Sequence, residues 1–157
     1  MRSMVKKFLV GIAINVAGLC AANNSLGTWT RNIEQSISSV VIGPRSIKAL
    51  SLRIEASDDT VRATVKGELM NGEVINSAWA GKYNGGEYPI TGAPWDMVSI
   101  KQIDANTFIS ETKKTGGTFH STIRALISKD GQTMSLTYKG IDVEGKPFYG
   151  TAVYNKQ

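Results

Sequence analysis

Apolar and polar side chains alternate with a period of two along several segments of the chain, among them 50–56, 61–69 and 133–139. Within 61–69, for example, Val61 and Ala63 alternate with polar residues. Successive side chains of a β-strand point to opposite faces, so a period of two separates one apolar face from one polar face. Each of these segments therefore predicts a strand with one buried and one wetted side.

Turn sequences separate the alternating segments. They are rich in Gly, Asn and Asp, which accept the positive φ of tight hairpins, and they lie at 57–59, 71–72, 84–86, 104–106, 115–117, 129–131 and 144–146. Such short connections force antiparallel neighbours, because a parallel crossover needs about a dozen residues. A long meander exposes two edges unless its ends pair. The pattern predicts an all-β fold, an antiparallel up-and-down β-barrel of about 8–10 strands, with a two-sheet sandwich as the alternative.

One segment departs from the period of two. Apolar residues within 33–41 stand at helical spacing, and Asn32 with Gln35 resembles a capping box. We therefore expect one short helix near the N-terminus, ended by Gly43 and crossing one end of the barrel as a plug.

The first residues of the chain have the order of a secretory signal peptide. A basic start with Arg2 and two lysines precedes a nearly uninterrupted apolar run over 8–19, and small residues follow. The run is shorter than the ~20 residues that span a bilayer. We expect a signal peptide over 1–22 and a lipocalin-like β-barrel domain over 23–157, exported to the periplasm or secreted, with no transmembrane helix after cleavage.

Cys20 is the only cysteine and gives the same segment a second interpretation. A bacterial lipoprotein carries a lipid-modified cysteine after a similar apolar run, but a small residue precedes that cysteine, whereas Leu19 stands here. Cleavage after Ala22 is therefore favoured over lipid anchoring at Cys20. An exported domain without cysteine has no disulfide, so its stability must come from its core.

The positive charge of the chain does not indicate a nucleic-acid partner. Arg2, Lys6 and Lys7 belong to the predicted signal peptide, and without them the formal net charge falls from +5 to +2. A net charge this small does not provide the positively charged surface that binds a polyanion. No nucleic acid is expected to bind.

Gly27-Thr28-Trp29 at the first predicted strand, followed by a meander of this length, resembles the lipocalin and fatty-acid-binding superfamily. The chain is similar to small exported bacterial lipocalin-like (calycin-type) β-barrel proteins of largely unassigned function. The matching stretches are 26–29, 88–92, 101–107, 128–131 and 152–157. The resemblance implies a barrel that holds a small, usually apolar molecule, with Trp29 as a structural anchor packed at the closed end beneath a late arginine. Arg124 is the only late arginine, and the alternation around it predicts that it points outward.

The predicted inward faces mix small and large side chains. A wall dense in small residues leaves room for a ligand, although a barrel filled by its own side chains fits the same pattern. An apolar and aromatic lining with few charges suits a small hydrophobic ligand. The candidate ligand-binding residues are Trp79, Tyr83, Tyr88, Trp95 and Tyr138. Pro89 and Pro94 place Tyr88 and Trp95 on a loop that would cover an entrance.

The sequence gives no positive sign of catalysis. His120 is the only histidine, and its alternation places it toward solvent. After residue 22 no His or Cys cluster for a metal is possible, and no nucleophile elbow, phosphate loop or dinucleotide fingerprint occurs. We expect no catalytic residue, no metal and no cofactor, and whether the chain is an enzyme stays open, leaning against.

Three functions are compatible with these patterns. The first is a monomeric exported protein that binds a small hydrophobic molecule in the barrel interior. The alternative is a non-catalytic protein-interaction or inhibitor module of the cell envelope that acts through its loops. An enzyme on the same barrel would need a buried polar pair that faces a pocket.

Overall fold

The computed structural model describes residues 23–39 and 46–157. A short 3-10 turn, Asn23–Ser25, precedes ten strands. The strands are β1 (Gly27–Ser38), β2 (Ile47–Ser57), β3 (Thr60–Leu69), β4 (Val74–Gly81), β5 (Asn84–Thr91), β6 (Met97–Asp104), β7 (Thr107–Lys113), β8 (His120–Ile127), β9 (Thr133–Ile141) and β10 (Pro147–Lys156). No helix in these two ranges is long and apolar enough to cross a membrane.

The strands form one closed barrel in which each pairs antiparallel with its sequence neighbours. The ring closes between β1 and β10, where Trp29 lies opposite Lys156 and Arg31 opposite Tyr154. Closure gives both terminal strands a hydrogen-bonding partner, so the meander leaves no free edge. The predicted up-and-down barrel is confirmed, and the sandwich alternative is wrong.

The predicted helix is wrong for the residues that the structure describes. Ile33 to Ser38 belong to β1, and residues 40–45 lie outside the described ranges. The helical spacing of apolar residues in this segment was outweighed by backbone pairing with β10, which β-branched residues favour.

The predicted contact between Asn32 and Gln35 forms, but it holds a bulge instead of starting a helix. The Gln35 N–H donates to Asn32 Oδ1 at 3.1 Å, and Asn32 Nδ2 donates to Gln35 Oε1 at 3.1 Å. The β1–β10 register is interrupted here. The Ser36 hydroxyl bridges the gap, since it donates to the Asn32 carbonyl at 2.6 Å and accepts from the Val153 N–H at 3.1 Å.

Among the described residues, Trp29 is the largest side chain that is fully buried in the core. Its indole Nε1 donates to the Ser25 carbonyl at 2.8 Å, so the turn Asn23–Ser25, and not a helical plug, packs against this ring. The Lys156 ammonium lies 5.1 Å from the ring centroid. Arg124 is exposed on β8. The cation beside Trp29 is therefore Lys156 of the last strand and not Arg124.

Candidate functional site

A cavity of about 250 Å³ lies toward the end of the barrel opposite to Trp29. Its walls come mainly from inward-facing residues of β7 to β10, and the loop between β5 and β6 contributes one side chain. The lining residues are Trp95, Thr112, Phe119, Ser121, Ile123, Tyr138 and Phe148. The period of two places the strand residues among them on one face, which is the inner face of the barrel.

Aromatic rings form most of the cavity wall. Trp95 stacks on Phe119 with centroids 4.8 Å apart and an interplanar angle of 9°. Phe119 stacks on Phe148 at 6.0 Å, and Tyr138 lies 6.3 Å from Phe148. These stacked rings form one continuous apolar side of the cavity.

Glycines on neighbouring strands make room for these rings. Gly150 lies opposite Tyr138, and Gly140 lies opposite Phe148. A Cβ added at Gly150 would overlap the Tyr138 hydroxyl and the Ile37 carbonyl oxygen, and one at Gly140 would overlap the His120 carbonyl oxygen and press on the end of the Phe148 ring. These glycines therefore do not leave empty volume. The space that their side chains would take is occupied by the aromatic rings together with the backbone of a neighbouring strand.

The hydroxyls of Thr112 and Ser121 are the polar groups of the cavity wall. Their hydroxyl oxygens are 2.6 Å apart, and the two residues are 7% and 6% exposed. Because each hydroxyl already bonds the other, the pair is a polar contact point inside an apolar wall. A hydroxyl needs a neighbouring base to act as a nucleophile. His120, which precedes Ser121 in the sequence, is exposed on the outer wall of the barrel.

Asp96 fixes the loop that carries Trp95. Its Oδ1 accepts the Thr115 N–H at 2.8 Å and the Thr115 hydroxyl at 3.2 Å, and its Oδ2 forms an ion pair with the Lys114 ammonium at 3.3 Å. The backbone hydrogen bond from Thr115 is the main reason that the pKa of Asp96 lies below its ordinary value of 3.8, although partial desolvation opposes the shift. The β5–β6 loop is thereby tied to the β7–β8 turn beside the cavity.

The structure brings together two of the five sequence-predicted ligand-binding residues. Trp95 and Tyr138 both lie on the cavity wall. Trp79 and Tyr83 pack instead in the core near Trp29, with ring centroids 6.3 Å apart. Burial raises the pKa of Tyr83, and its hydrogen bond with Ser25 partly offsets this.

Tyr88 is separate from both groups. Its ring lies across Gly81, where an added Cβ would overlap it, and its hydroxyl donates to Asn84 Oδ1 at 3.3 Å. Tyr88 belongs to β5, whereas Trp95 follows in the loop. The two residues therefore do not share one covering loop.

The five sequence-predicted candidates did not include Phe119, Phe148 or Arg31. Phe119 alternates with Ser121, Phe148 with Gly150 and Arg31 with Trp29, so the period of two was the signal for all three. Arg31 lies opposite Tyr154 on β10. Burial raises the pKa of the Tyr154 hydroxyl, and the nearby guanidinium partly lowers it again.

The outer wall carries two further depressions. A groove of about 510 Å³ crosses β8, β9 and β10, and it is flanked by Ile37 and Tyr149, which are 71% and 67% exposed. A pocket of about 180 Å³ lies beside His120 and Glu111. Within 23–39 and 46–157, no group of three His, Cys, Asp or Glu side chains is placed to hold a metal ion.

Comparison with known proteins matches the fold but not the sequence. No protein family and no curated protein matches this chain at the level of sequence. The S-type phycobiliprotein lyase CPES from Guillardia theta superposes with a TM-score of 0.58 at 11% identity, over 86% of this chain and 89% of the lyase. The protein EF1p2_mFAP2b, solved bound to DFHBI, superposes with a TM-score of 0.51 at 10% identity, over 87% of this chain and 97% of that one. The chain has a calycin-type β-barrel fold.

Proposed function

We propose that this protein binds a small hydrophobic molecule inside its barrel. The observation that carries the proposal is the cavity of about 250 Å³ walled by stacked aromatic rings, with the Thr112–Ser121 pair as its polar contact. At about 25 cal/mol per Å² of apolar surface removed from water, a molecule of one or two rings gains several kcal/mol on entering such a wall. The DFHBI bound by EF1p2_mFAP2b supports the binding of a small ligand by a barrel of this fold.

A cavity-filling substitution tests the site. Ile123 faces the cavity, whereas its neighbour Thr122 lies toward the outer wall, so Ile123→Trp and Thr122→Trp are matched variants. Binding of the neutral fluorescent probe N-phenyl-1-naphthylamine is expected to weaken at least about tenfold in Ile123→Trp and to stay unchanged in Thr122→Trp. Unchanged binding in both variants would contradict the cavity as the binding site. Weaker binding in Thr122→Trp alone would place the site in the outer groove beside Tyr149, which Thr122 also lines.

We also propose that the protein binds its ligand after export, in the periplasm or outside the cell. The basic start, the apolar run over 8–19 and the small residues before Asn23 support export to the periplasm or secretion. The mass of the mature protein, purified from the envelope or medium of expressing bacteria, is expected to correspond to a chain that begins at Asn23. A mass that retains 1–22, or a lipid-modified chain that begins at Cys20, would contradict cleavage after Ala22.

A further inference from the structure

The outer groove of about 510 Å³ carries two neighbouring positive charges at one end. Arg124 of β8 lies opposite Thr137 of β9, and Thr122 lies opposite Lys139 in the same strand pair. Alternation along both strands puts these four side chains on the outer face of the barrel, and both cations are exposed. Arg124 and Lys139 are diagonal neighbours across the pair, a position at which residues are about 7–8 Å apart. This end of the groove therefore combines two cations with two hydroxyls.

No carboxylate within the groove balances the two charges. The described lining residues include no Asp or Glu, and neither Arg124 nor Lys139 forms an ion pair with any described residue. Glu111 on β7 and Asp104 on β6 are acidic neighbours of Arg124, but neither lines the groove. The parts of the chain outside the described ranges contain no Asp or Glu. A bound anion would therefore relieve the repulsion between two like charges.

The other end of the groove is apolar. Tyr149 of β10 lies opposite Lys139, and Ile37 of β1 lies opposite Thr151. The side chains of Tyr149 and Ile37 are largely exposed. From β8 to β1 the groove crosses three inter-strand spacings, which is about 14 Å. A molecule that fits along it would have a negative charge at one end and an apolar surface at the other.

The size of the groove suits a single small molecule. Ligand sites commonly have volumes of about 300–1,000 Å³, and the groove lies within this range. A stable protein partner would need about 800 Å² on each side of the interface. Among the described lining residues, however, only Tyr149 and Ile37 are large exposed hydrophobic side chains. The groove is therefore better matched to a small ligand than to a protein surface.

We propose that this groove is a second binding site, separate from the inner cavity, for a small amphipathic organic anion. The ligand carries one carboxylate or sulfonate group on an apolar body. Its anionic group accepts charged hydrogen bonds from Arg124 and Lys139, and the two threonine hydroxyls beside them are further donors. Its apolar body crosses β10 against Tyr149 and extends toward Ile37, which removes apolar surface from water.

Two fluorescent probes that differ by one anionic group test this site. The anionic probe, 8-anilino-1-naphthalenesulfonate, has the ring system of the neutral N-phenyl-1-naphthylamine with a sulfonate added. The double variant Arg124→Gln/Lys139→Gln is expected to bind the sulfonate at least about tenfold more weakly and the neutral probe unchanged. The control variant Arg62→Gln/Lys66→Gln removes the same charge from exposed positions of β3. Both probes are expected to bind to this control as they bind to the unaltered protein.

Two single variants separate the apolar part of the groove from the inner cavity. Tyr149→Ser is expected to weaken binding of the sulfonate several-fold, because the apolar body loses its contact surface. Ile123→Trp, which fills the inner cavity, is expected to leave sulfonate binding unchanged. Raising the NaCl concentration is expected to weaken binding of the sulfonate and not of the neutral probe, because the two cations are exposed and are screened by salt.

Three results would overturn the second site. The first is sulfonate binding that is unchanged in Arg124→Gln/Lys139→Gln or is weakened equally in the β3 control. The second is competition by inorganic sulfate at the same concentration as the probe, which would indicate a site for simple anions. The third is binding to phosphatidylglycerol vesicles without binding to the dissolved sulfonate, which would indicate a membrane surface as the occupant. None of these results bears on the inner cavity, because the neutral probe reports on it separately.

Discussion

The Lys156 ammonium lies over the indole ring of Trp29, 5.1 Å from the ring centroid, at the point where the first and last strands close the barrel. The two residues are direct cross-strand partners, so their contact depends on the closed ring and not on local sequence. Trp29 also donates to the Ser25 carbonyl, which joins the N-terminal turn to the same contact.

Removing the cation beside Trp29 is expected to destabilise the fold modestly. Lys156→Met keeps an apolar stem over the ring but removes the charge, and a cation–π contact of this kind contributes about 0.5–2 kcal/mol. Urea unfolding followed by tryptophan fluorescence measures the change. Lys129→Met, in the exposed β8–β9 turn, is the control and is expected to be neutral. Equal effects of the two substitutions would show that the contact adds no stability.

The Thr112–Ser121 pair is expected to show strong coupling in a double-mutant cycle. Thr112→Val leaves the buried Ser121 hydroxyl unpaired and is expected to lower the free energy of unfolding by about 1–3 kcal/mol. Thr112→Val combined with Ser121→Ala removes both hydroxyls, so much of that loss is expected to return. Additive losses measured by thermal or urea unfolding would contradict the mutual hydrogen bond.

Gly81→Ala is expected to destabilise the protein by about 1–3 kcal/mol, because its Cβ would overlap the Tyr88 ring. The nearest atoms around that Cβ all belong to the Tyr88 side chain, and Gly81 has no positive φ. Removing the ring should therefore relieve the strain. In the Tyr88→Ser background, Gly81→Ala is expected to be nearly neutral. A loss of the same size in both backgrounds would mean that the strain has another source.

The loop that carries Trp95 is expected to loosen only in acid. The pKa of Asp96 is lowered in the folded protein, chiefly by the Thr115 N–H, so its stabilising contribution is complete above its ordinary pKa of 3.8 and is lost as the pH falls below that value toward the folded pKa. The Thr115 amide resonance followed by NMR during acid titration should shift with a midpoint below 3.8. Asp96→Asn should remove the transition, and a midpoint at or above the ordinary value would contradict the bond.

The candidate site was predictable only in part. Trp95 and Tyr138 were expected to line a cavity and lie on its wall, but Trp79 and Tyr83 belong to the core around Trp29. Alternation along a strand tells which face a side chain occupies, but not its height along the barrel axis, because height depends on register with other strands. Arg31 was overlooked for a related reason, since its significance arises from a partner on β10.

The sequence by itself determined the strands, their antiparallel order and the turns between them, because alternation and turn chemistry act between residues that are close along the chain. Only the tertiary structure decided the outcome for 33–38, where pairing with β10 gave a bulged strand and not a helix. It also decided which aromatic rings meet, and that Arg31 Nε and Trp95 Nε1 remain unpaired. These features depend on contacts between distant segments, which exist only after the barrel has closed.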